Sequence, residues 1–327
     1  MEPDFNISLD GFNTEEEANQ IGWLVLDATK SLAVRFNLDI SKLKKAVISY
    51  NFAAALEKVT SEYNHELPST FTDSKQGVAV AQLVSKVGSN GMSDEYTLVM
   101  SVEFFVEMFD ENGKLDFNEK AFGPIIHRLH HELIHVDERN KLIGLDPAYR
   151  VNEYGEALLI TATRAWSEYL ANYMSSQTAP KEIIDDFLNN LKTVVDEVSE
   201  EIEMFVLKYK IHVITLDAMF FEVKKRVKLI INSYGYAIGY VHALKINLEE
   251  DYPDLVAAIS NSKIKHPLSS LSESFDGLMS KYSGNNIESY EDFLDLTESV
   301  DALFKAFGLT LDCADWSGES RLYIHVN

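Results

Sequence analysis

Five consecutive residues constrain this chain more than anything else in it. His131-Glu132-Leu133-Ile134-His135 sets two histidines four positions apart, with an acid beside the first. On an α-helix that spacing stacks the imidazoles one turn apart on one face, where both reach a single metal ion. Glu132 then lies within reach of a water on that ion and can serve as its general base. The same stretch must also bury a stripe. Ile126, Leu129, Leu133 and Val136 recur at helical spacing and are expected to face a core, leaving the histidines at its edge.

The flanking pattern frames that helix. The first fifteen residues read as a loose acidic arm. Thr14 followed by Glu15 to Glu17 then starts a helix to about Phe36, its acids complementing the N-terminal dipole. From Lys42 to Leu142 strands and helices mix: strands at Lys45–Tyr50, Gly77–Val87 and Tyr96–Met108, and a helix at Phe52–Tyr63. Asp116 with Glu119 reads as a capping box, and Gly123-Pro124 as the start of the motif helix. Beyond Asp146-Pro147 the pattern is helical, at about Asn152–Ser176, Lys181–Tyr209, Thr215–Asn247, Tyr252–Ser260 and Ile287–Phe307. Arg321–Val326 reads as a strand in need of a partner edge. The expected fold is α+β and helix-rich. It has an N-terminal arm and helix over 1–41, a core of small mixed sheet and motif helix over 42–178, and a mainly α-helical C-terminal lobe over 179–327.

Composition narrows the function. With 52 acidic residues against 29 basic, the net charge of -23 argues against a phosphate-neutralising face for nucleic acid or for an anionic membrane. No apolar run is long enough to span a bilayer, and the acidic start lacks the features of an export signal, so a cytoplasmic setting is expected. The single cysteine, Cys313, allows no internal disulfide and no thiolate metal cluster, so any metal falls to histidine and carboxylate. No P-loop, Gly-rich dinucleotide fingerprint or nucleophilic-serine motif occurs.

A catalytic zinc site needs a third protein ligand and an open fourth position. A third histidine in the metzincin register would require glycine at Glu138 and histidine at Lys141, and neither is present. Glu168, in Trp166-Ser167-Glu168-Tyr169-Leu170-Ala171-Asn172-Tyr173, is the leading candidate, with Asn172 one turn on to orient a ligating histidine. Glu153 and Glu156, at the start of the same helix, and Asp146, in Asp146-Pro147-Ala148-Tyr149, remain open alternatives. His127 extends the histidine stripe a turn backward. It lies about two turns, roughly 11 Å, from the far histidine, too far to share one ion with it. A supporting, substrate-facing or structural role is left for His127, and His130 points to another face. Tyr236, Tyr240 and His242, in a run that also holds Gly235 and Gly239, are candidate donors to the oxyanion of an amide-hydrolysis intermediate; the competing reading is helix packing.

The HExxH motif followed by a helix carrying Glu168-x-x-Ala171-Asn172 resembles the gluzincin branch of the zincin metallopeptidases. Within that branch it is most similar to the ImmA/IrrE-like group. The resemblance covers about Lys42 to Ser176 and extends to the order of strands and helices. It implies a zinc (Zn2+) peptidase acting on a peptide or protein substrate, with His131, His135 and Glu168 as ligands and Glu132 as base. It also implies that Tyr96–Met108 serves as the edge strand that aligns an extended peptide. Asp137, two residues after the motif, departs from the apolar residue common there. The alternative is a non-catalytic regulatory or interaction protein on such a scaffold, motivated by the acidic helical half. Retention of Glu132 argues for the enzyme. The overall acidity points weakly to neutral or basic peptides.

Overall fold

The computed structural model describes residues 5–64, 73–74, 77–78, 80–88, 93–116, 118–142, 152–316 and 319–327. The protein is a helix-rich α+β chain with a small mixed sheet of four strands. Contacts divide it into two units: Met1–Tyr149 with Gln177–Pro180, and Arg150–Ser176 with Lys181–Asn327.

In the first unit, Asn6–Asp10 form strand β1, where the sequence suggests a loose arm. The segment pairs in parallel with β2 (Leu43–Ser49), which gives its backbone groups partners. Helix α1 (Glu15–Phe36) lies between them in sequence. The Thr14 hydroxyl caps it by accepting from the Glu17 amide, and Asn37 ends it in a left-handed conformation. Helix α2 (Phe52–Glu62) starts at Asn51, whose side chain accepts from the Ala54 amide. A short hairpin of β3 (Asp73–Ser74) and β4 (Gly77–Val78) precedes β5 (Ala81–Val87) and β6 (Ser93–Ser101).

The sheet order is β1-β2-β6-β5, parallel except for β5 against β6. Val47, Val84 and Val99 pack on one face with Ala55, Leu56 and Val59 of α2. Alternation sends Leu9, Ile48 and Leu98 to the opposite face, where Gly22 of α1 meets the Leu9 side chain. Two expectations are corrected here. The strand expected over Tyr96–Met108 ends at Ser101, whose hydroxyl accepts from the Glu103 amide and opens a 3-10 turn, Val102–Met108, that buries Phe104, Phe105 and Met108. Nor is this strand an edge. It is hydrogen-bonded to β2 on one side and β5 on the other, so the edges are β1 and β5.

Helix α3 (Glu119–Lys141) carries the motif. It begins a turn earlier than Gly123-Pro124 because Asn118, rather than Asp116, is the cap: its side chain accepts from the Lys120 amide. Pro124 therefore sits inside the helix, where it forfeits one backbone bond early in its course. Leu129, Leu133 and Val136 are buried as expected, while Ile125 takes the core position that the pattern gave to Ile126.

The second unit is helical, with one hairpin. Residues Glu153–Ser175 are a single helical run, with a short α4 (Glu153–Gly155), a π-turn (Glu156–Ile160) and α5 (Thr161–Ser175). After a 3-10 turn, Ser176–Thr178, come α6 (Lys181–Lys210), α7 (Leu216–Leu244), α8 (Leu248–Asp251) and α9 (Pro253–Asn261). Next is α10 (Lys265–Ser283), which the sequence reading lacked. Its serine-rich exterior masks a buried stripe of Leu268, Leu271, Phe275, Leu278 and Tyr282. The 3-10 turn Tyr290–Phe293 and α11 (Leu294–Ala306) follow. The terminal strand finds its partner in β7 (Leu309–Trp316), against which β8 (Glu319–Val326) runs antiparallel. Among the described residues no helix is long and apolar enough to cross a membrane.

Candidate metal centre

The motif histidines converge. His131 Nε2 and His135 Nε2 lie 3.1 Å apart, with ring planes at 86°. Two nitrogens held at 2.0–2.1 Å from one tetrahedral zinc ion would stand roughly 3.3 Å from each other, so this pair has the separation of two ligands sharing an ion. The other ring nitrogen of His135 faces the Glu138 carboxylate at 3.7 Å, and both side chains are nearly buried. A carboxylate behind a ligating imidazole fixes its tautomer and raises its basicity. The sequence reading did not single out Glu138. The available signal was an acid three positions after the second histidine, one turn away on the same helix.

The rest of α3 is pinned against its own unit. Arg139 donates to the Leu83 carbonyl of β5 at 3.3 Å and lies over the Tyr96 ring. Arg128 pairs with Glu107 and donates to the Phe104 carbonyl, tying the helix to the 3-10 turn. The fully buried Asp137 carboxylate accepts from the Asp39 amide at 2.7 Å and from Lys141 Nζ at 2.7 Å. Asn140 donates to the Asp39 carbonyl at 2.7 Å. Together they clamp the chain leaving α1, so a polar residue follows the motif where an apolar one is common.

His127 and His130 are both buried, and each sets Nδ1 against the Thr178 hydroxyl, at 3.3 Å and 3.0 Å. His130 also lies against the Phe36 ring, with centroids 4.0 Å apart. Burial, then the neighbouring His131 and Arg35, lower its pKa to about 4, which keeps it neutral. His127 and His130 thus tie α3 to Thr178.

Glu168 sits on α5, half-buried, in a helix whose other face is fully buried through Ala162, Ala165, Trp166, Tyr169 and Leu170. Tyr169 stacks on Phe275 with ring centroids 4.6 Å apart and planes at 5°. Two glycines set the depth to which α7 packs on α5. A Cβ at Gly235 would meet the Ala165 carbonyl oxygen at 2.7 Å, and one at Gly239 the Tyr169 carbonyl oxygen at 2.6 Å. Asn172 donates to the Tyr236 carbonyl at 3.0 Å, a further tie between these helices. Among the described residues, His131, His135 and Glu168 form a group able to hold a metal ion, each offering one ligand atom, with those atoms within 4.8 Å of one another. Two imidazoles and a carboxylate, without a thiolate, are a donor set that suits zinc.

The competing ligands stand otherwise. Glu156 pairs with Lys224 at 3.5 Å, Glu153 lies exposed in the first turn of α4, and Asp146-Pro147-Ala148-Tyr149 falls outside the described residues. Of the candidate oxyanion donors, Tyr240 is fully buried, and that burial pushes its phenol far above the ordinary range. Tyr236, half-buried, stacks on Phe187 with centroids 5.2 Å apart. His242 is engaged at both ring nitrogens, with the Tyr169 hydroxyl and the Ser272 hydroxyl each at 3.0 Å. Burial lowers its pKa against the opposing pull of Asp276.

Lys228 on α7 escaped the sequence reading. Burial first, then the charge of Arg164, lower its pKa to about 8, with Glu168 and Glu156 acting in the opposite direction. An amine two residues past an ion-paired arginine, Arg226, leaves little sequence signal of its own.

Searches among protein-family profiles, curated proteins and solved structures return no match to this chain.

Proposed function

We propose that this protein is a zinc-dependent metallopeptidase built on a zincin-like core, with His131, His135 and Glu168 holding the ion and Glu132 acting as general base. The observation that supports the reading is the gathering of two imidazole nitrogens and one carboxylate within 4.8 Å, the imidazoles on a helix that also carries Glu132 beside the first histidine. Bound there, zinc would polarise a peptide carbonyl and acidify a water. Glu132 would take the proton from the attacking water and deliver it to the leaving amine nitrogen. Glu138 would hold the His135 ring in the tautomer that presents Nε2. The substrate class is a peptide or protein, and the setting cytoplasmic, in keeping with the lone cysteine.

The test is metal content by mass spectrometry together with hydrolysis of a mixed-sequence peptide library. One equivalent of zinc is expected in the wild type and in Glu132→Gln, and little in His131→Ala. Hydrolysis should fall by at least about a hundredfold in Glu132→Gln. Library cleavage unchanged by Glu132→Gln would refute the mechanism. A full equivalent of zinc with no cleavage in the wild type would favour a regulatory protein on the same scaffold.

A further inference from the structure

Helices α10 and α11 of the second unit line a cavity of about 490 Å³ in which the metal centre has no part. Helical spacing sets its walls. Ser270, Ser274, Gly277 and Lys281 recur along one face of α10, and Asp295, Glu298 and Ala302 along one face of α11. Ser274 Oγ and Ser299 Oγ stand 3.4 Å apart where the two walls meet, and Leu278, one turn on from Ser274, is buried. Lys281 and Asp292 pair across the cleft at 2.8 Å.

Two features of the cleft have no explanation inside the chain. The first is Gly277. Glycine within a helix costs about 1 kcal/mol relative to alanine, and a Cβ at this position would meet nothing within 4 Å. Packing demands Gly235 and Gly239 but makes no such demand here; a bare helix backbone at a cleft wall leaves room for another chain to come close. The second is charge. Glu273, Asp295 and Glu298 are exposed and form no ion pair among the described residues. The N-terminal dipole of α11 favours Asp295, which lies in the first turn, but Glu298 lies three residues on, where like charges repel.

The lining also selects the occupant. Among the described residues these carboxylates belong to no group able to hold a metal ion, so the positive charge they would meet is spread along the cleft. Leu278 and Ala302 offer apolar surface between the acidic walls, which suits the aliphatic stems of lysine and arginine with their heads at the carboxylates. From Ser270 to Lys281 the α10 wall rises roughly 16 Å, the length of about five residues of extended chain.

We propose that the cleft between α10 and α11 is a docking site for a short, extended peptide segment bearing two or three lysine or arginine side chains. The inference stands apart from the metallopeptidase reading, since it concerns binding at residues that reading does not use.

The probe is a fluorescein-labelled heptapeptide, Ala-Lys-Ala-Lys-Ala-Lys-Ala amide, titrated by anisotropy into full-length Glu132→Gln protein beside the same peptide with glutamine at each lysine. The lysine form should bind at least about tenfold more tightly, by a margin that shrinks several-fold in high salt. Asp295→Asn with Glu298→Gln should remove most of that margin. Gly277→Leu should remove it too, by filling the cleft with no change of net charge, while a urea midpoint at or above that of wild type shows that the fold is intact. Glu249→Gln with Glu250→Gln takes the same charge from exposed positions on α8 and should leave binding unchanged. Equal binding of the two peptides, or full binding by the folded Gly277→Leu protein, would overturn the site. So would an equal loss in the α8 variant, which would trace the attraction to the overall charge of -23. Displacement of the peptide by spermine at concentrations well below the peptide's own Kd would overturn the peptide occupant in favour of a free polyamine.

Discussion

Gly239→Ala isolates the packing that positions Glu168. The substitution alone should help the helix, because alanine replaces glycine in the interior of α7 with a gain of about 1 kcal/mol. The structure opposes it. The new Cβ would lie 2.6 Å from the Tyr169 carbonyl oxygen, 3.0 Å from the Tyr173 amide nitrogen and 3.1 Å from Asn172 Cβ. The first two are backbone atoms of α5 and cannot swing aside. Restoring ordinary contact at 3.4 Å requires the helices to part by roughly 0.8 Å. Such overpacking costs about 1–3 kcal/mol, so a net loss of up to about 2 kcal/mol is expected once the propensity gain is subtracted. Urea denaturation should show a lower midpoint at unchanged slope. Zinc affinity, read by chelator competition, should fall about tenfold as α5 carries Glu168 away from its best position. Gly277 on α10 is the control. A Cβ there meets nothing within 4 Å, so Gly277→Ala should stabilise by up to about 1 kcal/mol and leave zinc binding alone. A Gly239→Ala protein that is more stable than wild type, as Gly277→Ala should be, would refute the close-packing argument.

Two further substitutions bear on other parts of the chain. Asp137→Ala removes the acceptor of the Asp39 amide and the partner of Lys141; a loss of about 2–3 kcal/mol is expected by urea denaturation, from a buried charged hydrogen bond left unmade. Asp292 is held by Lys281 and by the Glu288 and Ser289 amides, which pull its pKa down to about 2 from 3.8. A carboxylate depressed in the folded state contributes stability that is full above pH 3.8 and lost as pH falls toward 2. Asp292→Asn should therefore show a smaller loss than wild type across that window in acid-dependent thermal melts. The effect will be modest, because the site is open to solvent.

Much of the chain could be read locally. Helix α1 runs as expected because Thr14, Glu15 to Glu17 and Asn37 are local start and stop chemistry. Long amphipathic helices such as α6 and α7 were legible to within a few residues, since their periodicity persists over many turns. The failures are tertiary. Asn6–Asp10 has a weak strand pattern and becomes a strand only because β2 offers an edge. The apolar run from Tyr96 to Met108 divides where the Ser101 hydroxyl captures an amide, a choice that a run of β-prone residues conceals. Helix α10 has poor intrinsic propensity and owes its existence to the stripe it buries.

The same division runs through the site. His131, Glu132 and His135 were legible because one helix sets their geometry, and any helix of that sequence would present them alike. Glu168 was one carboxylate among several on its helix until packing separated them. Glu156 is taken up by Lys224, while Gly235 and Gly239 bring α7 against the α5 backbone beside Glu168. In the sequence those glycines stand out as neighbours of Tyr236, Tyr240 and His242, candidate donors to an oxyanion. In the fold their role lies in the missing side chains, which let two backbones meet. The placement of the proposed third ligand is thus encoded partly in residues that carry no chemistry. Reading the sequence for chemistry-bearing side chains finds the carboxylate but not the residues that hold its helix in place.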